Sequence, residues 1–203
     1  MAIYSYIITR DFGFAPNPFY GMCTLATCKP VIRRTANIGD WIVGFGSGEK
    51  SSPFKNKVIF VMQVEKKITF DEYWDTPEYQ CKKPVMNGSL KQNYGDNIYH
   101  TVNGKWVQED SHHSYEDGKV NMLNLERDTG SNNVLIGTKY WYFGKDAVKI
   151  PDELMAIVPN GRGDKKDTEH EKVLIKWVEK FEEKGFIGEP AQFSGGFQRY
   201  GGN

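Results

Sequence analysis

Apolar side chains fall in short runs separated by Gly, Pro and Asn, and no long helical period appears before residue 168. That pattern predicts strands joined by turns. Tyr4 to Thr9 predicts a first strand, ended by Arg10-Asp11-Phe12-Gly13 and by Pro16 and Pro18, which lack a ladder donor. Thr24 to Ala26 and Pro30 to Arg34 read as short strands. Asn37 to Asp40 reads as a turn into Trp41 to Gly46, whose continuous apolarity predicts burial on both faces. Lys57 to Glu65 predicts a long return strand, antiparallel across the polar loop 46–56, and the two read together as a barrel wall.

Thr69 and Glu72 have capping-box spacing and predict a short helix over Phe70 to Trp74. Asn103-Gly104 between two β-prone arms predicts a hairpin over 97–108. The polar segment 109–132 predicts a mobile loop over a site, with one short strand near 120–125. Val134 to Phe143 and Leu154 to Val158 read as the last strands. Thr168 and Glu171 repeat the capping-box spacing, and Val173, Leu174, Trp177, Val178 and Phe181 share one helical face. An amphipathic C-terminal helix ending at Gly185 follows. Residues 1–187 then form one domain, and 188–203 a loose tail. The fold class is α+β: a mixed β-barrel with a short helix after the second core strand and a C-terminal helix.

Charge narrows the partners. Lys plus Arg number 26 and Asp plus Glu 26, so bulk charge gives no hold on nucleic acid or membrane, and a charged partner must meet a local patch. Aromatics at 14% with 21 Gly argue against an all-α fold. No window approaches the roughly 18 apolar residues of a membrane helix, and the opening residues lack signal-peptide features, so a soluble, cytoplasmic protein is expected. Cys23, Cys28 and Cys81 form neither an even disulfide framework nor a CxxC half-site, which predicts reduced thiols.

Lys29-Pro30-Val31-Ile32-Arg33-Arg34, Ile38-Gly39-Asp40-Trp41-Ile42-Val43 and the continuation Val58 to Glu65 resemble the PUA-like superfamily, which includes the EVE, ASCH and YTH domains. The opening YSYIITRDFGFAPNPFYGMCTLATCKPVIRRTANIGDWIVGFGS is similar to the nucleotide-modification-associated domain, type two, of bacteria and their phages, and the similarity extends through Lys139 to Phe143. The resemblance implies a small PUA-like barrel that handles modified bases or nucleotides in DNA modification or phage–host conflict. It carries over no catalytic residue.

Candidate chemistry therefore comes from the residues themselves. Asn17, in a loop fixed by two prolines, can read a base edge with its amide or make an Asx turn before Pro18. Arg10, Lys29, Arg33 and Arg34 are the local basic concentration and suit phosphate oxygens, or else protect a strand edge. Trp41, Tyr99 and Trp141, with Trp106 and Tyr142, offer stacking surfaces or core packing. His112-His113 lies near Glu109, Asp110 and Glu116, but adjacent residues on an extended chain point apart, so a solvated loop is expected and no metal site. No Cys–His spacing marks an activated thiol, so Cys23 and Cys28 read as structural. His170 has no assigned role. The 160–166 segment reads as a flexible connector, and 44–48 lacks the helix a dinucleotide site needs.

Three readings follow. The first is a cofactor-free module that binds a modified nucleobase, alone or within nucleic acid, in an aromatic pocket. The second is an enzyme acting on a nucleotide, with Asp11, Asp40, Asp110 or a histidine as acid–base group in the same pocket; a buried carboxylate–histidine pair would favour it. The third is a protein-interaction domain, which would expose a large apolar patch.

Overall fold

The computed structural model describes residues 1–48, 52–161 and 163–201. Along the chain run β1 (Ile3–Ile8), β2 (Cys23–Leu25), α1 (Pro30–Thr35), β3 (Trp41–Gly46), β4 (Lys57–Gln63), β5 (Lys66–Ile68), α2 (Phe70–Asp75) and α3 (Leu90–Asn93). There follow β6 (Tyr99–Val102), β7 (Lys105–Gln108), α4 (Met122–Thr129), β8 (Val134–Gly137), β9 (Tyr140–Tyr142), β10 (Val148–Lys149), β11 (Lys165–Asp167), α5 (Glu171–Val178) and β12 (Gly185–Phe186).

The main sheet has the order β11-β1-β3-β4-β9-β12, with β10 on β4. β1 and β3 are parallel, Ile3 opposite Trp41, and β3 and β4 antiparallel, Trp41 opposite Gln63. The path ends at β11 and β12, so the expected closed barrel is not formed among the described residues. β2, β8 and β5 form a separate sheet in the order β2-β8-β5. Gly137 is where the chain changes sheets: a Cβ there would lie 2.1 Å from the Gln63 carbonyl oxygen, so only glycine passes. The run 134–143, read as one strand, is therefore two strands in two sheets.

Period-two alternation gives the main sheet two apolar faces. Tyr4, Tyr6, Ile42, Phe60 and Met62 pack on one side. Ile3, Trp41, Val43, Val61 and Trp141 pack on the other, against Leu174 and Val178 of α5. Each such side chain contributes roughly 1.5–3 kcal/mol by leaving water. A third cluster, including Phe12, Phe14, Phe70, Tyr94 and Tyr99, lies under the β6–β7 hairpin and α2.

Two local expectations hold. The Thr69–Glu72 capping box opens α2, and Asn103 and Gly104 have φ of 52° and 74° in the hairpin turn. Others are corrected. Pro30 to Arg34 is helical, because proline suits the first helical turn, where its missing N–H is not needed. The 120–125 strand is instead the start of α4, whose Asn121 side chain accepts the Asn124 N–H at 3.2 Å. Leu154 to Ile157 lie in a 3₁₀ turn over 152–157, which ends before Val158. α5 starts after His170, not at Thr168, and ends at Val178, short of the expected Gly185, which is in β12; the Asp167 carboxylate accepts the Glu169 and His170 N–H groups. Parts of the loop 46–56, the connector 160–166 and the tail to 203 lie outside the described residues.

Candidate active site

Beyond the C-terminal end of β1 lies a cleft of about 660 Å³, lined among others by Arg10, Phe14, Cys28, Lys29, His113 and Tyr200. Its floor is built where β2 runs into α1. Cys28 and Lys29 both take left-handed backbone, with φ of 56° and 43°, which costs on the order of 1–3 kcal/mol for each non-glycine residue. Surrounding bonds hold this geometry. The Cys28 N–H donates to Asp128 Oδ1 at 2.9 Å, and the Cys28 carbonyl accepts from Arg33 Nε at 2.8 Å. So fixed, Cys28 Sγ lies 3.9 Å from His113 Nε2.

The other imidazole nitrogen is tied to a carboxylate. His113 Nδ1 is 2.8 Å from Asp128 Oδ2, with the two side chains only 2% and 0% exposed. Asp128, in the last turn of α4, also accepts from Tyr99 Oη at 2.9 Å and from Arg127 Nε at 3.1 Å. Burial alone would raise its pKa, but His113, Arg127 and Arg33 outweigh burial and hold it well below the usual carboxylate range. For His113, burial disfavours the charge, but Asp128 and then Cys28 outweigh it and raise the pKa to about 9. The imidazole is thus a cation at neutral pH, donating from Nδ1 to Asp128 and presenting Nε2–H to sulfur. Gln108 and Asn124 amides donate to the His113 carbonyl at 3.2 and 2.9 Å and fix its backbone.

His112 has the opposite character. Burial, then the charge on His113, lowers its pKa to about 3, and its ring packs against Phe12 and Phe14 with Nδ1 on the Gln198 carbonyl. The expected solvated His-His loop is therefore corrected: the loop folds back under the C-terminal segment. That segment, as far as it is described, makes backbone hydrogen bonds to the loop and to α4. The Tyr200 N–H donates to the His112 carbonyl at 2.7 Å, and the Asn124 amide donates to the Tyr200 carbonyl at 2.7 Å. A chain without periodicity still satisfies its backbone here, through side-chain amides. Tyr200 enters the cleft, with the Arg10 and Arg127 guanidinium carbons 5.7 and 5.5 Å from its ring centre.

The sequence candidates separate sharply. Arg10 and Lys29 line the cleft, Lys29 paired with Asp164 at 2.8 Å. Arg34 is exposed on α1, outside the lining. Arg33 is fully buried: besides Cys28 it donates to the Ser131, Asn133 and Asp128 carbonyls, and burial lowers its pKa to about 10. It holds protein backbone instead of facing phosphate. Asn17 is also buried, donating to the Tyr94 carbonyl and accepting from Lys82 Nζ. Trp41 and Trp141 stack on each other in the core at 6.4 Å, away from the cleft. Tyr99 is buried and supports Asp128 through its hydroxyl. Cys28 and His113, which the sequence reads as a structural thiol and a solvated loop residue, meet here with Asp128, which no sequence signal marked; the three are dispersed along the chain. The available cue was Cys28 immediately before a Lys-Pro helix start.

Cys28, His113 and Asp128 offer ligand atoms within 4.8 Å of one another, a set that can also hold a soft divalent cation. Both Asp128 oxygens, however, already accept two hydrogen bonds each. The arrangement fits a thiol, an imidazole and an orienting carboxylate better than a cation cage. Among the described residues no helix is long and apolar enough to cross a membrane. The family model described as nucleotide modification associated domain 2 matches residues 1–197. No curated protein and no solved structure matches the chain.

Proposed function

The chain belongs to the nucleotide modification associated domain 2 family, and on that premise we propose that it is an enzyme acting on a nucleotide, free or within a strand, in the cleft beyond β1. The observation that carries this reading is His113 in the cleft lining, paired with the buried Asp128 behind it. A carboxylate that keeps an imidazole charged and oriented supplies general-acid chemistry. The surroundings suit the substrate. Phe12, Phe14 and Tyr200 offer flat apolar surface for a base, and Arg10 and Arg127 offer guanidinium groups for phosphate.

Recognition of a modified base without chemistry is the second reading, supported by the same aromatic lining. It would use these rings in place of Trp41, Tyr99 and Trp141, which the core holds. A PUA-like ancestry stays compatible with the mixed sheet and is part of this proposal.

The test is calorimetric titration with deoxynucleoside monophosphates and short oligonucleotides, unmodified and base-modified, alongside product analysis. Binding that weakens with salt, drops about tenfold in Arg10→Ala and is followed by turnover supports the enzyme. Binding without turnover across the panel supports the reader, and no binding contradicts both.

A further inference from the structure

Resting on the enzyme reading, we propose that Cys28 is a covalent nucleophile, so that the reaction passes through a thio-intermediate on this residue. Three observations carry it. Cys28 lines the cleft, its Sγ is 3.9 Å from His113 Nε2, and Nδ1 of the same ring is 2.8 Å from Asp128. The left-handed Cys28 backbone is held at both its N–H and its carbonyl, which is more restraint than core packing of a thiol needs. The other cysteines lack this setting: Cys23 is fully buried and Cys81 is exposed.

The groups facing the thiol and imidazole come from several elements. Arg127 and Asp128 lie on α4, Arg33 on α1, Tyr99 on β6 and His112 on the same loop, with Arg10 and Lys29 at the cleft. The imidazole nitrogen at 3.9 Å is the group placed to exchange a proton at this sulfur.

The chemistry is displacement at a carbonyl-type carbon bearing an amine or alkoxide leaving group. The Cys28 sulfur forms a bond to that carbon, and the bond to the leaving group breaks. The leaving group takes the electron pair and the Nε2 proton of His113. Water then attacks the same carbon and the C–S bond breaks. Sulfur keeps that pair as thiolate, and a proton of the water restores His113. The substrate class is therefore a nucleotide carrying an acyl, amide or ester group, and the net reaction is its hydrolysis.

Iodoacetamide labelling of the intact chain, resolved by residue with mass spectrometry, tests this without any nucleotide. Cys81 serves as the ordinary thiol, and Cys23 as the folding control that stays unlabelled. At pH 7 the half-buried Cys28 is expected to react at least about tenfold faster than the exposed Cys81. In His113→Gln, with Cys23 still protected, Cys28 is expected to lose that advantage. A wild-type Cys28 that reacts no faster than Cys81 overturns the proposal. If Cys28 is the faster thiol yet no nucleotide binds, the nucleophile stands and the nucleotide reading fails. The reverse result leaves the nucleotide reading standing and removes the nucleophile.

Discussion

His113 and Asp128 meet side chain to side chain at 2.8 Å beneath the cleft, and the same carboxylate also holds the Cys28 backbone N–H at 2.9 Å. One buried acid thereby positions both partners of the proposed chemistry.

The adjacent histidines give the fold opposite pH responses. His113 has its pKa raised from 6.5 to about 9, so its stabilising charge is fully present below about 6.5 and lost as pH rises through 9. His112 is lowered to about 3, so from about 6.5 downward the unfolded chain takes up a proton that the folded chain refuses. These two groups place maximal stability near pH 6.5. Urea unfolding across pH 5–9 checks it, and Asp128→Asn is expected to flatten the alkaline side, where the wild type loses more than about 1 kcal/mol.

Arg33 and Arg34 are neighbours in sequence with unequal roles. Arg33→Met leaves the Cys28, Ser131, Asn133 and Asp128 carbonyls without their donor and is expected to cost about 3–5 kcal/mol. Arg34→Met should change stability by no more than about 0.5 kcal/mol. Urea midpoints of the two variants provide the comparison.

Tyr200→Ala keeps the backbone bonds of the C-terminal segment and removes a ring from the cleft. Nucleotide affinity is expected to fall by about 1–3 kcal/mol, with little change in melting temperature. Trp41→Phe should do the reverse, lowering stability and leaving affinity unchanged, because Trp41 packs on Trp141 in the core. Calorimetry and thermal melts on both variants separate the outcomes.

Features governed by neighbouring residues were legible in the sequence. The Thr69–Glu72 box and the Asn103-Gly104 turn specify their backbone locally, and the apolar runs at Trp41 and Val58 can only be buried strands. The site was not legible in the same way. Nothing local distinguishes Arg33 from Arg34; the difference arises because α1 turns Arg33 toward carbonyls about 100 residues away in sequence. His112-His113 looked solvated because its cover, the segment from Gln198 to Tyr200, has no period to announce that it packs. The single strand expected over 134–143 divides at Gly137, where the chain passes close to Gln63 and the run continues in a second sheet.

Histidine ring NMR during a nucleotide titration at pH 7.5 tests the central claim most directly. His113 is expected to show imidazolium shifts, His112 neutral ones, and both rings to respond to added nucleotide while His170 does not. A neutral His113 at that pH, or a nucleotide response that bypasses His112 and His113, contradicts it.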